Sequence, residues 1–597
     1  MVRALTWVLI GVVVYMLVAT ALSSRGLLPG YIRVSGPITT LHTQRGKVVL
    51  DRLARPKRFW RAWGNFGIGI ALVVMLGAFL FFVAAAYSVI QNPPAASAVN
   101  QPRNVLVIPG VNDFLPLSVA PEIVFGLLVG LVVHEGGHGL LCRVEGIEID
   151  SMGLALLTLL PVGAFVEPDE ENREQADRGG QTRMFAAGVT NNFAISVLTF
   201  LLLFGPITGA IAPTAGVPVG NTVPGSAAED AGITRGDVIT GVESQPIANE
   251  SDLDRTLANA DRRVSLTVAN DGQEREVTVE RSLLVTGAVP GVVPGIEVSP
   301  TDAPEIVAVN GTEVHTESAF EAALRNRTVA TIRTAEGTTA TAPMGAYVPR
   351  AVENGPLAEE GAPLNTSMII TRIGGERIVD ATDLRETLAA RQPGERVTIE
   401  AYADGDRRTY DIELDENTRS GGESIGVSSI QAGTSGLTFV DLGVDIYPSK
   451  GFLAILGGDG TSGSGLGAFL IGIIQALFLP LTSVVPQGGA YNFAGFIGPV
   501  TNFYTVRGPL SVLGGWVFTL ANVLFWTSWV NIQLAFFNCI PSFPLDGGHI
   551  LRASAESVAA RLPIEGRRRV TTAISASASL VMIAALFFML FGPQLFN

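Results

Sequence analysis

Cysteine, histidine and lysine are all scarce in this sequence. Its 597 residues include two cysteines and five histidines, and lysine occurs only at Lys47, Lys57 and Lys450. Cys142 and Cys539 both lie in apolar surroundings, so no disulfide framework is predicted. The formal net charge of −14 argues against nucleic acid as a partner, because nucleic-acid-binding surfaces are basic. Only 16% of the residues are charged and 48% are hydrophobic, which is unusual for a soluble protein.

Hydrophobic runs long enough to cross a bilayer of about 30 Å occur toward both ends of the chain. A further run, Leu466–Val485, is predicted to lie along the membrane or to re-enter it, because one more crossing would export the arginines near the C-terminus. The arginine-rich loop after the first run is predicted to be cytoplasmic. We predict crossings at Leu5–Leu22, Gly67–Ile90, Val119–Leu141, Met184–Phe204, Leu510–Ile540 and Ala573–Phe591.

The third of these runs contains the motif His-Glu-x-x-His, read here as His134-Glu-Gly-Gly-His138. Residues four apart lie on one face of a helix, so both imidazoles can bind the same metal ion. Glu135, one position further along, can act on a water molecule held by that metal. Ionisable residues at membrane depth are costly unless they meet partners or a wet cavity. Two structural core histidines are the simpler alternative, but the motif predicts a metal-dependent hydrolase.

A hydrolytic zinc site needs three protein ligands and one open position. Asp546 is the best third ligand, because it follows an apolar helix and lies in a segment restricted by Pro541, Pro544 and two glycines. His549 is the rival third ligand and could instead bind a tetrahedral intermediate or orient Asp546. The sequence thus predicts a zinc site of His134, His138 and Asp546, with Glu135 as the catalytic base.

Two further segments are predicted to contact the substrate. The apolar stretch Ser151–Val166 is interrupted by Pro161 and Gly163, which favours a membrane-embedded β-hairpin over a helix. Asn192 lies near the start of the next helix and could hydrogen-bond the substrate backbone or the oxyanion. A helix-packing role for Asn192 stays open at this point.

An internal repeat lies between the two apolar halves. The segment that begins at Ile239 and ends at Ala258 matches the segment Ile370–Ala389 without a gap, and a fainter copy covers 309–324. Each copy is predicted to form a strand, a turn, a second strand and a short helix. The copies resemble PDZ domains of the bacterial protease type, which accept a peptide C-terminus as an added strand.

The motifs at His134–His138, Gly188–Asn192 and Asn538–Gly548, with PDZ-like copies between them, resemble the site-2 protease family of intramembrane zinc metalloproteases. The resemblance implies Zn²⁺ at His134, His138 and Asp546, Glu135 as base, and substrate contacts at Asn192, Asn538 and Gly163. It implies a transmembrane protein as substrate. The charge bias of the loops, and not the resemblance, predicts that the active site lies toward the cytoplasmic side of the cell membrane, with the PDZ-like domains outside. A catalytically silent membrane scaffold that uses its PDZ-like copies is the alternative.

The predicted fold is a multi-pass α-helical membrane protein with inserted α+β PDZ-like domains and a membrane-embedded β-hairpin. The predicted regions are an N-terminal transmembrane pair with its basic loop (1–118), the first half of the catalytic core (119–212), a first PDZ-like domain (213–284), a degenerate copy (285–345), a second PDZ-like domain (346–420), a Gly-rich linker with a peripheral segment (421–509) and the second half of the core (510–597).

Overall fold

Two compact units make up the structure, a computed structural model. The first unit comprises Met1–Ala212, Lys450–Ile497 and Val506–Asn597, and the second comprises Pro213–Ser449 and Gly498–Thr505. The structure describes residues 2–91, 108–112, 114–158, 160–299, 303–416, 423–457, 465–484, 490–561, 563 and 566–595.

The N-terminal part of the first unit alternates helices with two β-hairpins. A short 3₁₀ turn, Leu117–Val119, leads into the fourth helix, and a π-helical turn, Leu203–Ile207, follows the sixth. In chain order the elements are α1 Val2–Ser24, β1 Ile32–Ser35, β2 Ile38–His42, α2 Gln44–Leu53, α3 Lys57–Gln91, α4 Ala120–Glu145, β3 Ile149–Leu157, β4 Leu160–Pro168, α5 Glu170–Gln175 and α6 Arg178–Leu202.

The predicted β-hairpin is present as β3 and β4, and it is part of a larger sheet. The strand order is β1-β2-β3-β4, all antiparallel. The loop expected only as a basic connection between the first two helices therefore folds into β1, β2 and α2. Its strand β2 pairs with β3 from Ile38 opposite Leu157 to His42 opposite Gly153.

Among its described residues, the second unit contains three antiparallel sheets of five or six strands, each with one helix of about two turns, and one separate pair of two-residue strands. Side-chain oxygens of Asn249, Thr316 and Asp380 cap the first turns of these three helices. Two short helices are α7 Ala227–Asp230 and α10 Pro356–Glu359. The three capped helices are α8 Glu250–Leu257, α9 Glu317–Leu324 and α11 Ala381–Ala389.

The unit contains three modules, each built on one of these three sheets. Each module has the order that the repeat predicts, a strand, a turn, a second strand and a short helix, and a hairpin that the repeat does not predict follows the helix. In chain order, the strands of the unit are β5 Ile211–Pro213, β6 Val217–Thr222, β7 Val238–Val242, β8 Gln245–Pro246, β9 Arg263–Asn270, β10 Gln273–Glu280, β11 Leu283–Ala288, β12 Glu305–Val309, β13 Thr312–Glu313, β14 Val329–Thr334, β15 Thr339–Pro343, β16 Ala346–Val348, β17 Met368–Ile373, β18 Glu376–Arg377, β19 Arg396–Ala403, β20 Asp406–Glu413, β21 Asp415–Glu416, β22 Glu423–Ser424, β23 Leu437–Val440 and β24 Val444–Ile446.

The first two sheets are each completed by a strand that follows the third sheet in sequence. The first has the order β10-β9-β7-β6-β24, the second β15-β14-β12-β11-β23 and the third β16-β17-β19-β20. The stretch expected as a Gly-rich linker thus supplies the last strand of two sheets. Each sheet has its own buried core, including the middle one, which packs Phe320 and Leu324 of α9 against its strands.

The C-terminal part of the chain returns to helices. Its elements are α12 Ser449–Gly457, α13 Leu466–Phe478, β25 Tyr504–Val506, α14 Trp516–Asn538, α15 Asp546–Ala559 and α16 Arg567–Leu595, with 3₁₀ turns at Leu479–Leu481, Gly498–Phe503 and Gly508–Leu513. At 1.5 Å per residue, the 13 residues of α13 extend about 20 Å. That length is short of the bilayer core of about 30 Å.

Five helical segments of the described chain are long and apolar enough to cross a membrane. They are Lys57–Gln91, Leu117–Glu145, Arg178–Ala210, Trp516–Asn538 and Arg567–Pro593. The prediction of a multi-pass helical membrane protein with inserted β domains is confirmed at this level. The predicted first crossing, Leu5–Leu22, lies in α1, which is not among the five: its described apolar part, Ile10–Ser24, is shorter than 18 residues.

Polar contacts between helices hold the centre of the first unit together. The hydroxyl of Ser528 on α14 donates to Thr199 of α6 at 2.6 Å, and Ser196 of α6 donates back to the Ser528 carbonyl at 3.3 Å. Toward the ends of the helices, the nearly buried carboxylate of Glu145 pairs with Arg183 of α6 at 2.9 Å and with Arg61 of α3 at 3.2 Å. The first two contacts join α14 to α6, and the Glu145 pairs fix the end of α4, which carries the His-Glu-x-x-His motif, against α3 and α6.

Candidate metal centre

Helix α4 presents two histidines toward the interior of the helical bundle. It begins with Pro121 in its first turn and ends at Gly146, which adopts the left-handed conformation of a helix C-cap. His134 and His138 are one turn apart, so both imidazoles project from the same face. The His134 side chain is 10% exposed and that of His138 is 14% exposed. The site is therefore largely enclosed by protein.

Asp546 reaches the same point from the C-terminal part of the chain. Helix α14 ends at Asn538, and after seven residues Asp546 opens α15. Gly547 allows this sharp return, because a Cβ there would lie 2.4 Å from the carbonyl oxygen of Ile540. The first turn of α15 is thereby packed against the end of α14, and the carboxylate of Asp546 is directed at the histidines.

Three atoms converge in a nearly equilateral triangle. Nε2 of His134 and Nε2 of His138 are 3.1 Å apart. Oδ2 of Asp546 lies 3.1 Å from the first nitrogen and 3.3 Å from the second. Among the described residues these three are the group whose ligand atoms could hold one metal ion.

Contacts on the far side of each imidazole fix which nitrogen faces the triangle. Nδ1 of His138 lies 2.8 Å from the carbonyl oxygen of Met184, which can only accept, so this nitrogen carries the proton. The fully buried amide of Asn192 has its Nδ2 at 3.3 Å from Nδ1 of His134, and a 180° turn of the amide exchanges its nitrogen and oxygen. With its oxygen turned toward Nδ1, the amide accepts that N–H and its oxygen gains the partner it otherwise lacks. Both Nε2 atoms then present lone pairs.

The donor set fits a zinc ion. Three lone-pair-bearing atoms that face one another within 3.3 Å repel unless a cation lies among them, and Oδ2 of Asp546 is buried without a hydrogen-bond partner. Ligands at 2.0–2.1 Å from a tetrahedral zinc are about 3.3 Å apart, close to the three separations here. Two imidazoles and a carboxylate are also the ligand types that zinc takes in hydrolytic sites.

Glu135 is held beside this triangle by the β-hairpin. Its Oε2 accepts a hydrogen bond of 3.0 Å from the backbone N–H of Val166 on β4. This N–H points away from β3, toward α4, so the carboxylate of Glu135 occupies the position that a pairing strand would otherwise fill. The general base predicted from the motif, next in sequence to His134, is therefore bound to the edge of the hairpin.

Gly188 of α6 is a part of the site that the motif does not explain by itself. A Cβ at this position would lie 2.6 Å from Nε2 of His138 and 2.8 Å from Cε1 of His134. Only glycine leaves room for both rings where α6 crosses α4. Gly137 serves the same crossing from the other helix, since a Cβ there would lie 2.8 Å from the carbonyl oxygen of Ala187.

The sequence profile of peptidase family M50 matches residues 122–586. The chain belongs to peptidase family M50, the site-2 protease family. The matched residues include the converging His134, His138 and Asp546 and the whole second unit. They exclude the N-terminal elements that end with α3.

Two curated proteins are similar to this chain over shorter stretches. One is an uncharacterized protein of Methanocaldococcus jannaschii, 28% identical over 164 residues, which are 27% of this chain and 42% of that protein. The other is named putative zinc metalloprotease, from Thermotoga maritima, and is 27% identical over 179 residues, 25% of this chain and 35% of that protein. The chain thus spans less than half the length of each.

Three other predicted site residues lie outside the triangle. His549 stacks on Phe185 with ring centroids 4.3 Å apart, which places it against α6 instead of among the three converging atoms. Asn538 donates to the carbonyl of Leu534 on its own helix at 3.0 Å. Gly163 pairs with Ala155 within the hairpin, where a Cβ would make only ordinary contact. Substrate contacts of Asn538 and Gly163 stay predictions.

Proposed function

We propose that this M50 protein is a zinc-dependent endopeptidase that cleaves a peptide bond in or near the transmembrane segment of a membrane-protein substrate. The observation that carries the proposal is the 3.1–3.3 Å triangle of two imidazole nitrogens and one carboxylate oxygen. Glu135, a carboxylate in the sequence position of a general base, stands next to it. Zinc held by these ligands would polarise the peptide carbonyl and bring the pKa of an attacking water to about 7.

The residues of the chain then have defined roles. Glu135 accepts the proton of the attacking water and delivers it to the leaving nitrogen. The Val166 N–H keeps the Glu135 side chain in place, since it is anchored in the backbone of a paired strand. Met184 and Asn192 keep both Nε2 lone pairs directed at the site.

The location of the ligands supports a substrate within the membrane. His134 and His138 belong to one candidate membrane span, and Asp546 follows another after seven residues. Peptide bonds of a transmembrane helix are protected by its internal hydrogen bonds, so the substrate must unwind before hydrolysis. Beyond the N–H of Val166, which Glu135 occupies, an edge strand such as β4 offers replacement backbone hydrogen bonds to the unwound segment.

The finer features of the proposal follow from the sequence pattern. The site is proposed to face the cytoplasmic side of the cell membrane, because arginines collect in the loops on that side of the predicted topology. The three modules of the second unit are proposed to be PDZ-like, outside the membrane, and to bind peptide C-termini. Their repeated order of strand, turn, strand and helix supports this assignment.

Metal analysis combined with a Glu135→Gln variant tests the function. The purified parent chain in lipid nanodiscs should bind one zinc ion, and the variant should retain the metal while cleavage falls by at least 1,000-fold, on the order expected when a general base that also assists the leaving group is lost. Substrates would be identified by crosslinking to the Glu135→Gln protein in its own membrane and then presented to the parent. A parent protein that cleaves none of the trapped proteins would favour the silent scaffold.

A further inference from the structure

The segment between α1 and α3 forms part of the wall beside the proposed active site, although it lies outside the residues that match family M50. Strand β2 occupies the outer edge of β3 over five residue pairs. The pairing is extended at both ends, where the N–H of Thr43 donates to the Met152 carbonyl and the N–H of Thr158 donates to the Pro37 carbonyl, both at 2.9 Å. The outer edge of β3 is therefore filled by the chain itself.

Helix α2 fixes this segment to the helix that carries the two histidines. Leu50 is 6% exposed and packs in one cluster with Leu140 and Leu141 of α4. Asp51 pairs with Arg143 of α4 at 3.0 Å. Gly46 permits a close approach to the hairpin, because a Cβ there would lie 2.9 Å from the terminal carbon of Met152. The segment is thus packed against both α4 and β3.

A cavity of about 470 Å³ lies between α2, α4 and the sheet. Its volume is in the range of pockets that bind organic ligands. Glu135 and Gly136 form part of its wall, so it opens beside the proposed base. Most other lining residues are apolar, among them Leu41, Val49, Leu50, Val132, Met152 and Leu154. Residues of the segment 41–50 contribute a large share of this surface.

The register of the sheet leads from this cavity to Glu135. Leu41, Leu154 and Ala164 are cross-strand neighbours in adjacent strands, so their side chains share one face. The next row on that face contains Met152 and Val166, two residues along each strand. Val166 is the residue whose N–H binds Glu135. An apolar row of side chains therefore ends at the carboxylate.

On the basis of the proposed endopeptidase function, we infer that this cavity binds an apolar side chain of the substrate next to the scissile bond, and that the segment 41–50 sets the size it accepts. A peptide whose carbonyl is attacked beside Glu135 has a neighbouring side chain within reach of the cavity. Burial of a large aliphatic or aromatic side chain there should favour cleavage about 10- to 100-fold over alanine.

Cysteine crosslinking tests the contact without depending on cleavage. Both native cysteines, Cys142 and Cys539, are fully buried, so a new thiol on α2 is the accessible one among described residues. In the Glu135→Gln protein, Val49→Cys places the thiol at the cavity. The matched control Val48→Cys lies on the same helix outside the lining, and the two native valines are similarly exposed, at 54% and 57%. The probes are single-span alanine-leucine peptides with a central Gly-Pro pair and one cysteine moved along the sequence.

With copper phenanthroline as oxidant, the Val49→Cys protein should form disulfides mainly with one or two adjacent peptide positions. The Val48→Cys protein should give at least fivefold less product at those positions. Equal yields for the two variants, or yields that do not depend on peptide position, would overturn the inference even if the chain proves to be an active protease.

Cleavage by the zinc-loaded chain then tests the size limit. The peptides carry alanine, valine, leucine or phenylalanine at the crosslinked position. Val49→Trp should lower the phenylalanine-to-alanine ratio of cleavage rates at least tenfold, and Val48→Trp should leave it within twofold. An unchanged ratio in Val49→Trp contradicts the size role. Position-specific crosslinks without cleavage by the parent would support the cavity and refute the proposed endopeptidase.

Discussion

The two compact units differ in where their apolar side chains lie. In the second unit the apolar side chains lie inside the sheets, as Ile370 and Leu384 do in the third module, where both are fully buried. In the first unit many apolar side chains point outward, and Val73 and Leu580 are about 70% exposed. Exposed apolar surface of this kind fits contact with lipid. The interior of the first unit holds small and polar residues, among them His134, His138 and Asp546 of the candidate metal centre.

The helices of the first unit show the same contrast among themselves. Of the 18 most hydrophobic consecutive residues of α14, 56% are buried inside the protein, against 11% in α16, and the residues of α14 are the less hydrophobic of the two sets. The central helix is thus less hydrophobic than the peripheral one, because its polar side chains contact other helices. The following predictions test whether polar groups in each unit act through metal binding or through stability.

Loss of a metal ligand should have the largest effect. Asp546→Ala removes one corner of the triangle and should lower zinc affinity by at least about 100-fold, more than the loss of a supporting contact typically does. Competition with a chromophoric chelator would measure the affinity in micelles. His549→Ala is the matched control and should retain zinc. Zinc loss in the control instead of in Asp546→Ala would make His549 the third ligand.

Loss of a buried ion pair should have the next largest effect, and it should appear in stability. Arg281 is 2% exposed and binds Asp441 at 2.5 Å. Arg281 lies in the connection from β10 to β11, and Asp441 lies in the connection from β23 to β24, so the pair joins the two connections between the first and second modules. Asp441→Ala leaves a buried cation without its partner and should cost about 3–5 kcal/mol in the unfolding of this unit. The change would be measured by chemical denaturation of the full chain.

An exposed pair supplies the control for that measurement. Arg396 and Glu413 are 3.7 Å apart, with side chains 85% and 61% exposed. Glu413→Gln should change the free energy of unfolding by less than about 0.5 kcal/mol. Similar effects of Asp441→Ala and Glu413→Gln would show that burial does not decide the strength of ion pairs in this unit.

A substitution that adds one methyl group beside the histidines should lower zinc affinity, by less than the loss of a ligand does. Gly188→Ala places a Cβ where 2.6 Å separates it from Nε2 of His138, so the ring must move. Zinc affinity should fall about 10- to 100-fold, as for other changes around metal ligands. Gly69→Ala on α3, where a Cβ meets open space, should have no effect. Unchanged zinc binding in Gly188→Ala would show that α6 can shift to make room for the methyl group without displacing the His138 ring.

The sequence predicted the ligands of the proposed site better than their surroundings. His134 and His138 follow from helical periodicity, and Asp546 follows from the end of an apolar run at matching depth. The carbonyl of Met184 and the N–H of Val166 could not be predicted, because every residue carries these groups and only the folded chain selects two of them. Gly188 had a signal in the spacing Gly-x-x-x-Asn, but the spacing does not reveal which side chain needs the space.

Short strands explain what the sequence did not indicate in the fold. Strand β2 has five residues and lies in a loop dominated by arginine, so alternation is too weak to predict it. Strands β23 and β24 have four and three residues and are far in sequence from the sheets they complete. Their positions depend on long-range pairing, which local propensity does not encode. The cavity beside Glu135 was unpredictable for the same reason.

The smallest effect should be a pH dependence within the second unit. Burial, and then the nearby carboxylates of Asp380 and Asp383, raise the pKa of Glu321 from its ordinary value near 4.5 to about 6. The folded unit therefore favours protonated Glu321, and this contribution to stability is present below pH 4.5 and is lost as the pH rises through 6. Glu321→Gln should make the unit about 1 kcal/mol more stable than the parent at pH 8 and equal to it at pH 4. Denaturation between these pH values, with Glu336→Gln on an exposed turn as control, would measure it, and a difference that does not change with pH would contradict the assignment to Glu321.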